Sequence, residues 1–230
     1  MSDERSSTEV NRAAVLMHAL AALLLVGMGS WGALLYPDMP DQVPTHWDFG
    51  GEADAFSPKS IVTTFGPLLV AAGLFIAVLA VHLLLHRERH FVPAERRAYD
   101  LTFGYLNLSL VAIMSWLAYS AWFDLNLGPL FIAFTLFAGL PVLIIIGLHL
   151  PAISRERKAS ESPEEPSLNP KYWVLNGFLY SNPEDPRTFV PKPPHTGFGT
   201  TVNIASFGGR LFLAGLLLLI LGTLALPLIL

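Results

Sequence analysis

Residues Tyr36–Lys59 read Y-P-D-M-P-D-Q-V-P-T-H-W-D-F-G-G-E-A-D-A-F-S-P-K and stand between two long apolar runs. A polar stretch in that setting connects two membrane-spanning segments, so its reading fixes the class of the whole chain. Pro37, Pro40 and Pro44 restrict φ and withhold backbone donors, which favours a stiff extended path over a helix. Gly50 and Gly51 permit a sharp turn. Asp38, Asp41, Asp48, Glu52 and Asp54 face one cation, Lys59, with His46 and Trp47 between them. The connector is shaped, acidic and aromatic-bearing.

On either side of it the apolar runs recur, at Ala13–Tyr36, Ile61–His86, Leu101–Phe123, Leu127–Leu150 and Leu211–Leu230. Each is close to the roughly 20 residues that a hydrocarbon core of about 30 Å demands. The chain of 230 residues is 53% apolar and 14% charged, well below the roughly 25% charged of an average soluble domain. These features predict an all-α integral membrane protein, a bundle of five transmembrane helices with a small β-rich cytoplasmic insert before the last helix. The chain has no cysteine, which excludes disulfides, thiolate metal sites and cysteine nucleophiles. The first run exceeds the core of a signal peptide, about 7–15 residues, and reads as a retained span.

Cationic side chains give the orientation. Of the 14 Lys and Arg residues, all but Lys59 fall before the first run, between the second and third, or between the fourth and fifth. By the positive-inside rule those segments are cytoplasmic. The expected arrangement has a cytoplasmic tail at 1–12, a four-helix transmembrane domain at 13–150 with an extracytoplasmic loop at 37–60, a linker at 151–171, a cytoplasmic module at 172–207 and a fifth helix at 208–230. The N-terminus is then cytoplasmic and the C-terminus extracytoplasmic, in a multi-pass plasma (inner) membrane protein.

Small residues form stripes at helical spacing: Gly104, Asn107, Val111, Ser115 and Ala118 in the third run, Ala22, Gly29 and Ala33 in the first, Gly73 and Ala77 in the second. Such faces let helices approach closely, and an Asn in lipid seeks a partner on another helix. No Asp, Glu, Lys or Arg lies mid-span, which counts against an ion-coupled transporter. His18, His82 and His149 sit near span ends and read as interfacial or packed. The module contains turn chemistry at Asn182-Pro183-Glu184-Asp185-Pro186 between short β-prone runs at Phe178–Tyr180 and Thr188–Val190, with a third at Thr200–Ile204.

His46 with Asp48, Glu52 and Asp54 has the donor types for a divalent ion, but loop carboxylates at such spacing are common, and no metal or other cofactor is expected. A hydrolase needs a base, an orienting group and an oxyanion site; His46 with Asp48 supplies at most the first two. Neither basic region has the extent or the aromatic interleaving of a nucleic-acid site.

The run Tyr36-Pro37-x-x-Pro40-x-x-Val43-Pro44-x-His46-Trp47, followed by Gly50 or Gly51 and by Asp54, resembles the signature of a bacterial membrane domain of unknown function. That domain also forms the N-terminal part of the SdpI-like immunity and signalling proteins, and the resemblance spans roughly residues 15–90. It implies protection of a producing cell from its own secreted toxin and membrane sequestration of a repressor. In place of the C-terminal half expected of such a protein stands Tyr-x-Asn-Pro-x-Asp-Pro-Arg-x-x-Val-Pro-Lys, Tyr180–Lys192, similar to a second uncharacterised domain found beside the first. The expectation is a non-enzymatic envelope protein that senses or resists an external agent. Its candidate binding residues are Tyr36, Pro37, Pro40, Pro44, His46, Trp47, Asp48, Gly50 and Asp54. Tyr180, Asn182, Pro183, Asp185, Pro186, Arg187, Pro191 and Asn203 are the candidate contacts to a cytoplasmic protein. The expected partners are thus the bilayer, an external peptide or small molecule, and that protein. A small-solute transporter and a metal-dependent membrane enzyme built on the His46 loop are the alternatives.

Overall fold

The computed structural model describes residues 10–48, 50–87, 91–127, 130–160, 169–193 and 199–215. Its order is α1 (Arg12–Leu35), β1 (Gln42–Trp47), β2 (Ala53–Pro58), α2 (Ile61–Arg87), α3 (Pro93–Trp122) and α4 (Leu130–Ser160), then β3 (Trp173–Val174), β4 (Leu179–Tyr180), β5 (Phe189–Pro191) and β6 (Thr200–Val202). Four helices among the described residues are long and apolar enough to cross a membrane. The fifth expected span lies outside the described residues from 216 onward; residues 207–215 are helical.

The helix ends follow from the sequence. Asn11 caps α1, its side chain accepting from the amide of Ala13 at 2.9 Å. Ser60 and Thr63 cap α2 reciprocally, each side-chain oxygen accepting the other's amide at 2.9 and 3.1 Å. α3 opens on Pro93, where a missing donor costs nothing. It closes with Asp124 in the left-handed region (φ 48°) and the Leu125 amide donating to Ser120. α4 runs on to Ser160 through Pro151, so the first ten residues of the expected 151–171 linker are helical.

The chain forms two compact units, the first holding residues up to His82 and Ala94–Pro151, the second Leu83–Pro93 and the residues after Pro151. In the first unit, α3 buries the whole expected stripe of Gly104, Asn107, Val111, Ser115 and Ala118. A Cβ on Gly104 would lie 2.9 Å from the Ala14 Cα, so α1 and α3 meet backbone to backbone. On α1 the expected stripe is displaced. Ala14, His18, Ala21 and Gly32 are the buried residues, whereas Gly29 has open space beside it. Likewise Gly73 on α2 faces open space, and Ala71 is buried instead. Small residues mark a face only where a partner helix comes close, and composition cannot place the partner.

The Tyr36–Lys59 connector, expected as a stiff extended loop, is a β-hairpin. β1 and β2 pair antiparallel from Gln42↔Pro58 to Trp47↔Ala53, with the register shifting between Pro44 and His46. The Lys59 ammonium donates to the Met39 carbonyl at 2.8 Å and to those of Tyr36 and Pro37 at 3.4 Å, fixing the base of the hairpin to the end of α1. Gly51, at φ 81°, closes the tip, and its carbonyl accepts from the Leu127 amide at 2.7 Å, tying the tip to the α3–α4 connection.

In the second unit the β-prone runs form two short antiparallel pairs, β3–β4 and β5–β6, joined by a bridge between Tyr180 and Asn203. β3, at Trp173–Val174, has no counterpart in the sequence reading.

Candidate functional site

Two constellations in the first unit carry chemistry, one at each end of the helices. At the hairpin end, His46 Nδ1 meets Asp54 Oδ1 at 2.5 Å across the strand pair, with both side chains exposed. The pairing His46↔Ala55 beside Trp47↔Ala53 brings residue 54 onto the imidazole. Asp48, the expected partner of His46, instead accepts from the Glu52 amide at 3.0 Å and shapes the turn. Beneath the hairpin lies a groove of about 990 Å³, roofed by Thr45–Asp48 and Gly51 and walled by apolar residues of α3 and α4 such as Ile113, Leu117 and Val142. That is the upper end of ordinary ligand-pocket volumes, roughly 300–1,000 Å³. Trp47 and Trp116 both line it, and the indole N–H of each is buried without a hydrogen-bond partner among the described residues. A buried donor left unmade is costly, about 1–3 kcal/mol.

Tyr36 lies at the base of the hairpin, packed on Phe65 and under Lys59, and does not line the groove. Pro37 sits in a single 3-10 turn, Pro40 leads into β1, and Pro44 is buried in β1. Gly50 stands in the turn beside Asp48, where a Cβ would come within 3.2 Å of the carboxylate. Of the candidate binding residues, His46, Trp47 and Asp48 therefore reach one site, and the others shape the hairpin.

At the opposite end, three helices converge on a chain of polar side chains. Asn107 Nδ2 lies 3.0 Å from His18 Nδ1, His18 Nε2 lies 2.8 Å from His82 Nδ1, and His82 Nε2 lies 2.9 Å from Asp100 Oδ1. The other Asp100 oxygen accepts from the Asn11 amide at 2.8 Å, and Asn107 also donates to the Phe75 carbonyl at 3.2 Å. His82, Asp100 and Asn107 are exposed by 2%, 3% and 0%. Phe103 stacks on His82, and Phe75 meets His18 edge-on.

Sequence reasoning missed this chain. His18 and His82 read as packed histidines, and Asp100 fell one residue before the expected third span. The available signal was that His18, His82 and Asp100 all stand near the same end of their apolar runs.

Residues 23–71 match a family described as Domain of unknown function (DUF1648). The match takes in the second half of α1, the whole hairpin and the start of α2, and it overlaps the Pro/His-Trp signature. His18, His82, Asp100 and Asn107 all lie outside it, as do the α3 and α4 walls of the groove. No curated protein and no solved structure matches the chain.

In the second unit, Tyr180, Asn182, Asp185 and Asn203 are buried and spend their polar atoms on one another. Asn203 donates to the carbonyls of Asn182 and Asp185 at 2.9 and 2.8 Å, and Tyr180 donates to Asp185 at 3.2 Å. Arg187 closes on the Asp185 carboxylate at 2.6 Å. Burial pulls the Asp185 carboxyl up, but the bonds and charge of Arg187 outweigh it and hold it below the usual range. Burial pushes the Tyr180 phenol up. These four expected partner contacts thus hold the module together. Pro183 and Pro186 are exposed, and Arg187 and Pro191 are half-buried.

Among the described residues, no group of three or more His, Cys, Asp or Glu side chains is placed to hold a metal ion.

Proposed function

We propose that the chain is a non-enzymatic multi-pass protein of the cell envelope that captures an external amphiphilic agent, a peptide or small molecule, in the groove beneath its β1–β2 hairpin. The observation that carries this reading is the pairing of a large apolar groove with two buried, unpartnered indole donors at Trp47 and Trp116. An apolar tail would fill the α3–α4 walls and pack against the Trp47 and Trp116 side chains that line the groove. In this reading the hairpin is extracytoplasmic, the N-terminus is cytoplasmic, and the module meets a cytoplasmic partner through exposed Pro183, Glu184 and Pro186. The SdpI-like resemblance supports sensing or resistance as the purpose of capture.

A solute-transport reading has less to support it. Asn107 and Ser115, which would line a path, are buried in the helix interface, and Asn107 is engaged by His18. An enzyme built on His46 has one carboxylate at the imidazole, Asp54, rather than the two it needs, because Asp48 turns to the Glu52 amide.

Photo-crosslinking in intact cells tests the reading. A photoreactive residue at 46 should capture an amphiphile, and Trp116→Phe should reduce that capture. Capture of bulk phospholipid alone, in the amount seen from lipid-facing Leu23, overturns it. Orientation has its own test: the native chain has no cysteine, so a membrane-impermeant thiol reagent should label a cysteine introduced at 52 and spare one at 185.

A further inference from the structure

We propose that His18, His82, Asp100 and Asn107 form a binding site for a single proton inside the helix bundle, with Asn107 as the reporter of its occupancy. The hydrogen bonds fit one assignment throughout. Asp100 as a carboxylate accepts from His82 Nε2–H, His82 Nδ1 accepts from His18 Nε2–H, and His18 Nδ1 accepts from the Asn107 amide. Both imidazoles are then neutral and stand beside a buried carboxylate. An intramembrane ionisable group in such a place marks function by default.

One proton taken from solvent turns one ring into an imidazolium beside the carboxylate. An imidazolium donates from both nitrogens. A protonated His18 therefore presents Nδ1–H to Asn107. A protonated His82 presents Nδ1–H to His18, which must shift its own proton to Nδ1 and again present it to Asn107. With the proton on either ring, Asn107 must turn an acceptor toward His18. Its Oδ1 is buried and has no partner among the described residues, so that acceptor stands ready. Turning the amide withdraws the donor from the Phe75 carbonyl on α2. Proton uptake thus exchanges one α2–α3 bond for a reversed α1–α3 bond.

The hydrogen-bonded groups of the chain are His18 and the Asn11 amide from α1, His82 from α2, and Asp100 and Asn107 from α3. His86, a turn beyond His82, and Glu95 and Arg96, a turn before Asp100, are the neighbouring titratable or charged positions along those helices. The site lies outside the matched family segment and does not depend on what the hairpin binds.

The test is nitrogen-15 NMR of the full chain in lipid nanodiscs, with histidine and asparagine labelled, between pH 4 and pH 9. At the alkaline limit His18 and His82 should both show the neutral Nε2–H pattern. On acidification their signals and the Asn107 side-chain amide should change with one shared midpoint and an uptake of one proton. Independent midpoints, an unmoved Asn107 amide, or no titration of either imidazole across the range overturns the proposal, the last meaning that the cluster is permanent packing glue. In Asn107→Leu, where circular dichroism shows native helicity, the midpoint should move by at least one pH unit, and an unmoved midpoint removes Asn107 from the site. Should that variant not fold, the unsubstituted protein decides the matter alone.

Discussion

The chain contains the same chemical pair twice. His46 meets Asp54 at 2.5 Å on the hairpin with side chains 68% and 48% exposed; His82 meets Asp100 at 2.9 Å between helices with side chains 3% and 4% exposed. Distance alone would rank the hairpin pair as the stronger. Environment reverses the ranking. Water solvates both partners of the exposed pair whether or not they touch, so the contact adds little. The buried pair has no water to fall back on, because a carboxylate among α1, α2 and α3 that loses its imidazole has already given up its hydration.

The largest expected effect comes from breaking the buried member. His82→Ala should lower stability by about 3–5 kcal/mol, measured as loss of helical circular dichroism on unfolding in detergent. His46→Ala should cost less than about 1 kcal/mol in the same assay. Equal losses would mean that burial does not decide the worth of these pairs.

A smaller effect is expected from prising apart the helices that bury the relay. Gly104→Ala places a methyl against the Ala14 backbone and should cost about 1–3 kcal/mol. Gly29→Ala, which meets nothing within 4 Å, should be neutral or slightly stabilising. The two glycines were indistinguishable as sequence signals, so this pair of variants sharpens the contrast between a face and a partnered face.

The smallest effect concerns Asp185, a partly shielded pair that stands between the two extremes. The bonds and charge of Arg187 hold its folded-state carboxyl below the usual carboxylate range. A depressed folded-state value means that the unfolded state binds the proton more readily, so the contribution is full above the unfolded value and disappears as pH falls through the folded one. The module should accordingly lose stability in acid below about pH 4. In Asp185→Asn that part of the acid sensitivity should vanish, as read by tryptophan fluorescence of Trp173.

Much of this was legible in the sequence. Apolar run length gave the four helices, although α3 begins eight residues before its expected Leu101 start, and the α3 stripe from Gly104 to Ala118 is buried as spaced. These are local facts of period and length, set by residues a few positions apart. The turn chemistry around Asn182 and the β-prone runs on either side of it were legible for the same reason. Its polar residues were not legible as an internal network, because Asn203 reaches Asn182 only once the two strand pairs have met.

The sequence by itself determined that the chain carries helices long and apolar enough to cross a bilayer, roughly where they lie, and that a proline-rich, His-Trp-bearing segment joins the first two. Tertiary structure decided which His meets which Asp. His46 turned to Asp54 rather than Asp48 because strand register places residue 54 across the hairpin, and His18, His82 and Asp100 met because three helices packed with those turns in contact. Pairings between residues 18 and 64 positions apart have no local signature. They exist only after packing has excluded water and left each polar group no partner but another.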